Sequence, residues 1–311
     1  MEIDEPMVRR LCEPYGISVL SFSTLSGGLI NTNVLVESTQ GPILLRIYVA
    51  ERTPTQVEFE MSVLERLGEA ALAVQRPRAT LNGELVSIHL DHCYAILDYV
   101  PGRPMDEDHL DDAMAADIGR FVGSMNKALT GFQPRGTRPS ADTEFISAEL
   151  RSMVGLEDGY SAIQDLWPTI RDHFTRQRLP QGVVHADIYP GNVIVDEANN
   201  LQAVIDFDDC YWGTVLFDLA IVTMSFSFSG ALGHDWRRAN IILDSYQGVQ
   251  GKVEPMDLYL AMVLNCVRFY VYTLPLTRSA GDSASDNAFA QRALYLMQPE
   301  VMSEFMDFRS K

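Results

Sequence analysis

Cysteine is scarce in this chain, and its four thiols, Cys12, Cys93, Cys210 and Cys266, form no C-x-x-C pair. That scatter excludes a disulfide framework and a cysteine zinc site, and it fits reduced thiols in a cytoplasm. His89, His92 and Cys93 lie close together but alternate with apolar residues, and no second ligand pair follows, so no metal is expected there. Basic residues are also few: 24 Lys and Arg stand against 42 Asp and Glu, a formal charge of −18. Nucleic-acid binding needs basic surface to displace counterions, so neither DNA nor RNA is an expected partner. Long-range steering by such a surface would favour an amine-bearing ligand, but simple solubility is the favoured reading of the charge.

No uninterrupted apolar run approaches the roughly 18 residues that a membrane span needs. The nearest, 258–276, is broken by Asn265 and Arg268 and reads as a helix buried on most sides. The opening MEIDEP has acids and a proline where a secretory leader needs basic residues and then an apolar stretch. A cytoplasmic location is the expectation, with no membrane partner. Oligomeric state leaves no mark in the sequence.

What is present suits a globular chain. The 311 residues are 47% hydrophobic, enough for two lobes around real cores. Strand patterns at 19–25, 32–37, 42–49, 85–90 and 94–99, with one helical period over 54–67, predict a small sheet of about five strands carrying one helix. The run Val100-Pro101-Gly102-Arg103-Pro104 breaks that pattern and sets the expected boundary, lobe one being 1–100 and lobe two 101–311. Helical patterns then dominate, at 110–129, 144–153, 161–176, 217–228, 234–246, 256–274 and 288–297, around a β-rich stretch at 182–207. The polar segment 279–286 reads as a mobile loop.

The chemistry concentrates in 183–220, VVHADIYPGNVIVDEANNLQAVIDFDDCYWGTVLFDLA. His185-Ala186-Asp187 precedes Pro190-Gly191-Asn192 and a strand. A turn at Asn199-Asn200 returns the chain to Asp206-Phe207-Asp208. Two strands joined by a turn bring the residues before the first and after the second to one end. Asp187, Asn192 and Asp206 are therefore expected to converge on one centre between the lobes. An acid, an amide and a second acid suit phosphoryl transfer: Mg2+ takes hard oxygen ligands shared with nucleotide phosphates, and the other acid orients a hydroxyl and accepts its proton. Lone acids near turns usually cap or solvate, but H-x-D-x-x-x-x-N followed by I-D-F-D is far more specific.

These residues resemble the aminoglycoside phosphotransferase and choline kinase superfamily, whose fold is protein-kinase-like. The resemblance covers nearly the whole chain and implies an α+β, two-lobe fold, with a small N-terminal antiparallel sheet carrying one helix and a larger, mainly helical C-terminal lobe. It implies ATP and Mg2+ as cofactors and a small-molecule alcohol as substrate. By that resemblance Asp187 is the catalytic base, His185 supports its loop, and Asn192 and Asp206 hold the metal. Asp208 is either a further metal acid or a supporting one, and Asp218 braces the catalytic loop as a buried acid, which is costly unless hydrogen-bonded.

SGGLINTN at 26–33 occupies the place of the nucleotide loop, with Gly27, Gly28 and Asn31 as its phosphate-approaching residues. It departs from the protein-kinase G-x-G-x-x-G-x-V pattern. The third-strand basic residue falls at Arg46 rather than a lysine, and its helix partner at Glu60, with Glu58 as the alternative. Asp98 and Tyr99 stand where the interlobe hinge meets adenine.

GGLINTNVLV, LPQGVVHADIYPGNVIV, LQAVIDFDD and FDLAI lean towards the homoserine kinase type II-like branch. The substrate implied is an amino alcohol or hydroxy amino acid, with antibiotic and choline or ethanolamine kinases as alternatives and a non-catalytic nucleotide binder as the rival outside enzymes. Arg268 in NCVRFYVYTLPL is the expected carboxylate contact, unless it merely caps the fold or pairs with an acid. Tyr211 and Trp212 are the expected aromatic acceptor surface. The acids Asp106, Glu107, Asp108, Asp111 and Asp112 either attract an amine or serve a helix start, the second being favoured.

Overall fold

The computed structural model describes residues 3–25, 30–106, 110–153, 160–230, 232–279 and 287–309. In chain order its elements begin with α1 (Glu5–Cys12), β1 (Val19–Thr24), β2 (Thr32–Ser38), β3 (Ile43–Ile47), α2 (Pro54–Glu69), β4 (Pro77–Arg78), β5 (Ser87–His89), β6 (His92–Asp98) and β7 (Arg103–Pro104). They continue with α3 (Asp112–Ala128), α4 (Thr143–Ser152), α5 (Tyr160–Arg176), β8 (Gln181–Val184), β9 (Val193–Val195), β10 (Leu201–Val204), β11 (Tyr211–Thr214) and α6 (Leu216–Ser227). Beyond these come β12 (Phe228–Ser229), β13 (Gly233–His234), α7 (Trp236–Gln250), α8 (Pro255–Ser279), α9 (Ala288–Leu296) and α10 (Pro299–Arg309). The architecture is α+β, as expected.

The chain forms two compact units. The first gathers Met1–Pro104 with two later pieces, Gly131–Arg138 and Asn192–Asp208. Its antiparallel sheet has six strands, not five, in the order β1-β2-β3-β6-β4 with β5 on β6. The register sets Arg46 of β3 opposite Asn33 of β2 and Ala95 of β6. One face is closed by α1, whose Val8, Leu11 and Cys12 join Val34, Val36, Ile43, Leu45 and Ile96 in a dry core. The sequence pattern does not predict this helix. It holds because Asp4 accepts the Met7 amide at its start and its three buried residues fall on one face.

Helix α2 opens with a capping box of Thr53 and Gln56 around Pro54 and buries Val57, Met61, Leu64 and Leu67. The same buried side carries Glu60, with no exposed surface. The late hairpin β9–β10 adds to this unit: Val204 donates to the Ala73 carbonyl, and β9 also pairs with β7.

The second unit comprises Met105–Thr130, Pro139–Gly191 and Asp209–Lys311. Helices α3, α4 and α7 are each capped by an acid at the start: Asp111, Asp142 and Asp235 accept amides of the first turn. Asp112 pairs with Arg237. Asp111 and Asp112 therefore serve a helix start, while Glu107 and Asp108 lie outside the described residues. So does 280–286, and α8 runs on to Ser279. α8 contains the one stretch among the described residues long and apolar enough to cross a membrane, Pro255–Pro275, and 78% of its window is buried inside the protein. α10, also missed by the sequence pattern, docks Val301 and Phe305 into this core.

Candidate active site

In the first unit a polar cluster grows from β3. A strand alternates its side chains, and position 46 points to the face that α2 covers. Arg46 Nη1 donates to Glu60 Oε1 at 3.2 Å and to Asp206 Oδ1 at 3.2 Å, and its Nε donates to Asn33 Oδ1 at 3.1 Å. Glu60 is the partner rather than Glu58, which is exposed. Tyr48 also donates to Glu60, at 3.0 Å. Burial pushes Glu60 up to about 7, with Asp208 and Asp206 adding to the rise and Arg46 and Arg138 opposing it. Burial works against the charge of Arg46, but Asp206 and Glu60 more than reverse that and hold its pKa above the ordinary value.

Asp206 and Asn192 are locked together by the hairpin that carries them. Ile205 donates its amide to the Asn192 carbonyl at 2.9 Å, just past the β9–β10 register. Asp206 adopts φ +67°, unusual for a residue with a side chain, and keeps 45% of its side chain exposed. A buried amide and a half-exposed carboxylate, brought near each other by the Ile205–Asn192 bond, are the hard-oxygen donors that Mg2+ takes, so the two fit that ion. No group of three His, Cys, Asp or Glu suited to a metal occurs among the described residues.

Asp208 has a different environment. Its Oδ2 accepts from Arg52 at 2.9 Å and its Oδ1 from Arg138 at 3.3 Å. Burial tends to raise its pKa, and the two guanidiniums outweigh that to keep it low. Nothing in the sequence flags Arg52 or Arg138, because their partners lie 156 and 70 residues away.

The other residues expected near nucleotide divide. Gly27 and Gly28 lie outside the described residues. The Asn31 side chain accepts the Val49 amide at 3.3 Å, pinning the loop side of β2 to the end of β3. Asp98 gives its amide to Arg76 O at 2.8 Å and takes Arg78 Nε on Oδ1 at 2.7 Å. Tyr99 follows it, partly buried, past the end of β6.

The second unit holds the His185-Ala186-Asp187 loop at the end of β8. Asp218, fully buried in the first turn of α6, accepts the amides of His185 at 2.9 Å and Ala186 at 2.8 Å. Burial raises Asp218 to about 6 even though both amides and Arg268 favour its charge. The Asp187 amide donates to His185 Nδ1 at 3.2 Å, which leaves a neutral ring's proton on Nε2. Ala186 sits at φ +73°, and its carbonyl accepts Arg268 Nη1 at 2.8 Å.

That bond turns Arg268 to backbone, in line with the capping alternative rather than with the carboxylate contact. The side chain is 2% exposed, spans from α8 to the His185-Ala186-Asp187 loop, and packs against Phe269 and Tyr272. It caps the fold. Tyr211 is likewise no acceptor surface: it is 2% exposed in a core with Val184, Ala186 and Ala141, because the β11–β8 register sets it opposite Val184. Trp212, the next residue and so on the other face, stays 37% exposed. Tyr272, 48% exposed and stacked on Phe145, is an aromatic surface that the sequence reading did not find.

The chain is also similar to known proteins. Residues 21–251 match the model of the phosphotransferase enzyme family. The chain is 24% identical to a homoserine kinase of Rhizobium meliloti over 266 residues, 80% of this chain and 77% of that one. A microcompartment-associated aminopropanol kinase superposes with a TM-score of 0.71 at 19% identity, covering 98% of this chain and 100% of that one. An amicoumacin kinase solved with AMP-PNP and Ca2+ gives 0.70 at 16% identity over 99% and 92% of the two chains.

Proposed function

Because this chain belongs to the phosphotransferase enzyme family, we propose that it transfers the γ-phosphoryl group of ATP to a hydroxyl of a small molecule. The observation that carries the reading is the placing of Asn192 beside Asp206 by the Ile205–Asn192 backbone bond, with Asp206 paired to Arg46. Asn192 and Asp206 hold Mg2+, whose charge offsets that of the phosphates. Arg46 contacts the phosphates and is aimed by Glu60. The Asp98 amide being committed to Arg76, adenine is met by backbone from Tyr99 onward. Asp187 orients the acceptor hydroxyl and takes its proton. Asp218 and Arg268 hold the Asp187 loop through its backbone, and the His185 ring braces it from within. Positioning and charge neutralisation supply most of the rate.

The acceptor is an amino alcohol or hydroxy amino acid. The homoserine kinase and aminopropanol kinase similarities support that range. With Arg268 turned inward, the amino alcohol side of the range gains. An antibiotic acceptor is the second reading, supported by the amicoumacin kinase similarity. The four cysteines are free and buried, which fits a cytoplasmic setting.

The test is ATP consumption over a panel of amino alcohols, hydroxy amino acids, sugars and aminoglycosides, with product phosphorus read by NMR. One class should accelerate ADP formation and yield a phosphomonoester. MgATP binding with no acceleration by any acceptor would instead favour a non-catalytic nucleotide binder.

A further inference from the structure

We propose that Arg138 and Arg52 form a guanidinium clamp that fixes Asp208 and Glu60, making Asp208 an anchor of the nucleotide half rather than a ligand of its metal. The proposal rests on the kinase reading above. All its members lie in the first unit, although Arg138 arrives from the segment Gly131–Arg138, remote in sequence from the sheet and α2.

That segment straps α2 along its length. Arg135 donates its amide to Ser62 Oγ at 3.0 Å and pairs with Glu65 at 3.0 Å, and the Thr137 amide reaches Thr55 O at 3.2 Å. The strap ends in Arg138, whose side chain is 3% exposed. Its Nε donates to the Gln56 carbonyl at 2.9 Å, and its Nη2 donates to Glu60 Oε2 at 3.2 Å and to Asp208 Oδ1 at 3.3 Å. Arg52 closes the other side, on Asp208 Oδ2 at 2.9 Å and on the Asp208 carbonyl at 3.3 Å.

Two consequences follow. Both Asp208 oxygens accept from guanidinium, and a cation already paired on each oxygen disfavours a divalent ion there. Asp206, two residues earlier and half-exposed, keeps the metal role alone with Asn192. Second, Glu60 and Asp208 are neutralised independently of Arg46. Three guanidiniums face three carboxylates, so Arg46 can exchange Asp206 for a phosphate without leaving two buried acids uncompensated. Without Arg138, Glu60 and Asp208 would draw on Arg46 and weaken its hold on the nucleotide. A planar fork that reaches three acceptors on two elements does this; an ammonium on a flexible stem does not.

The experiment is MgATP binding by calorimetry to the full chain. Wild type, Arg138→Ala, Arg138→Lys, Asp208→Asn and the Arg138→Ala/Asp208→Asn double variant are compared, each with a Mg2+ titration. Arg138→Ala should weaken binding about tenfold or more, and Arg138→Lys should recover only part. The double variant should bind no worse than the weaker single, since each removes the same contact. The Mg2+ midpoint of Asp208→Asn should stay within about threefold of wild type. Additive losses, full recovery by lysine, or a large rise in the Asp208→Asn midpoint would each overturn the clamp. If Arg138→Ala does not fold, the lysine and asparagine variants decide alone. Failure of wild type to bind MgATP would sink the kinase reading instead, a result distinct from these.

Discussion

The Arg46 guanidinium stands 3.2 Å from the Asp206 carboxylate, joining the middle of β3 to the residue just beyond the β9–β10 hairpin. In the proposed reaction that contact is the one nucleotide displaces, since Arg46 passes to the phosphates and Asp206 to the metal. Arg46→Ala should therefore weaken MgATP binding by about tenfold to a hundredfold. Arg46→Lys should keep most of the affinity but lose the bond pattern to Asn33, Glu60 and Asp206. Calorimetric titration with MgATP measures both, and an alanine variant that binds like wild type would remove Arg46 from the nucleotide site.

Glu60 gives a pH dependence with two opposite slopes. The fold raises it to about 7, so the folded protein holds its proton more tightly than the unfolded chain does. Its contribution to stability is thus fully present below the unfolded value of 4.5 and declines as pH rises through about 7. Binding runs the other way, because only ionised Glu60 aims Arg46 fully. MgATP affinity, taken as the difference between wild type and Glu60→Gln to cancel titration of ATP itself, should fall as pH drops through about 7. Parallel pH series of melting temperature and affinity for both proteins check the signs, and two slopes of the same sign would contradict the assignment.

Arg268 separates two accounts of the acceptor side. Bonded to the Ala186 carbonyl, it holds the backbone next to Asp187. Arg268→Ala should lower kcat by about tenfold or more while leaving MgATP affinity unchanged. If the side chain instead bound an acceptor carboxylate, the variant would raise KM for hydroxy amino acids alone and spare amino alcohols. Steady-state kinetics over both acceptor classes distinguishes the two.

Gly136 tests the strap without touching a charged group. It adopts φ +74°, and a Cβ there would collide with the Thr55 carbonyl oxygen at the start of α2. Gly136→Ala should cost about 1–3 kcal/mol from backbone strain alone and should weaken MgATP binding as Arg138 is displaced. A variant that melts and binds like wild type would show that the strap is not fitted as described.

Much of this was legible in the sequence, for reasons that vary by residue. The hairpin that carries Asn192 and Asp206 stands out because apolar alternation on either side of the Asn199-Asn200 turn marks two short strands. Glu60 is found by helical phase once Arg46 is placed. α1 escapes because eight residues carrying two arginines, one glutamate and only three buried positions give little periodic signal. Arg52 and Arg138 escape for a different reason: an isolated arginine has no signature, and its partners become neighbours only through the fold. Tyr211 and Arg268 are ambiguous because an aromatic and an arginine near the His185-Ala186-Asp187 loop serve equally well as core and as binding surface, and only strand register and burial tell them apart.

The most direct measurement is a paired comparison of Asp187→Asn and Asp206→Asn, each assayed for acceptor-dependent ATP turnover and for MgATP binding. Asp187→Asn should lose turnover by about three orders of magnitude or more, within the range of a lost general base and its positioning, while its MgATP affinity stays near wild type. Asp206→Asn should lose both turnover and the Mg2+-dependent part of binding. Full turnover in Asp187→Asn, or unchanged Mg2+-dependent binding in Asp206→Asn, would contradict the division of roles on which the whole account stands.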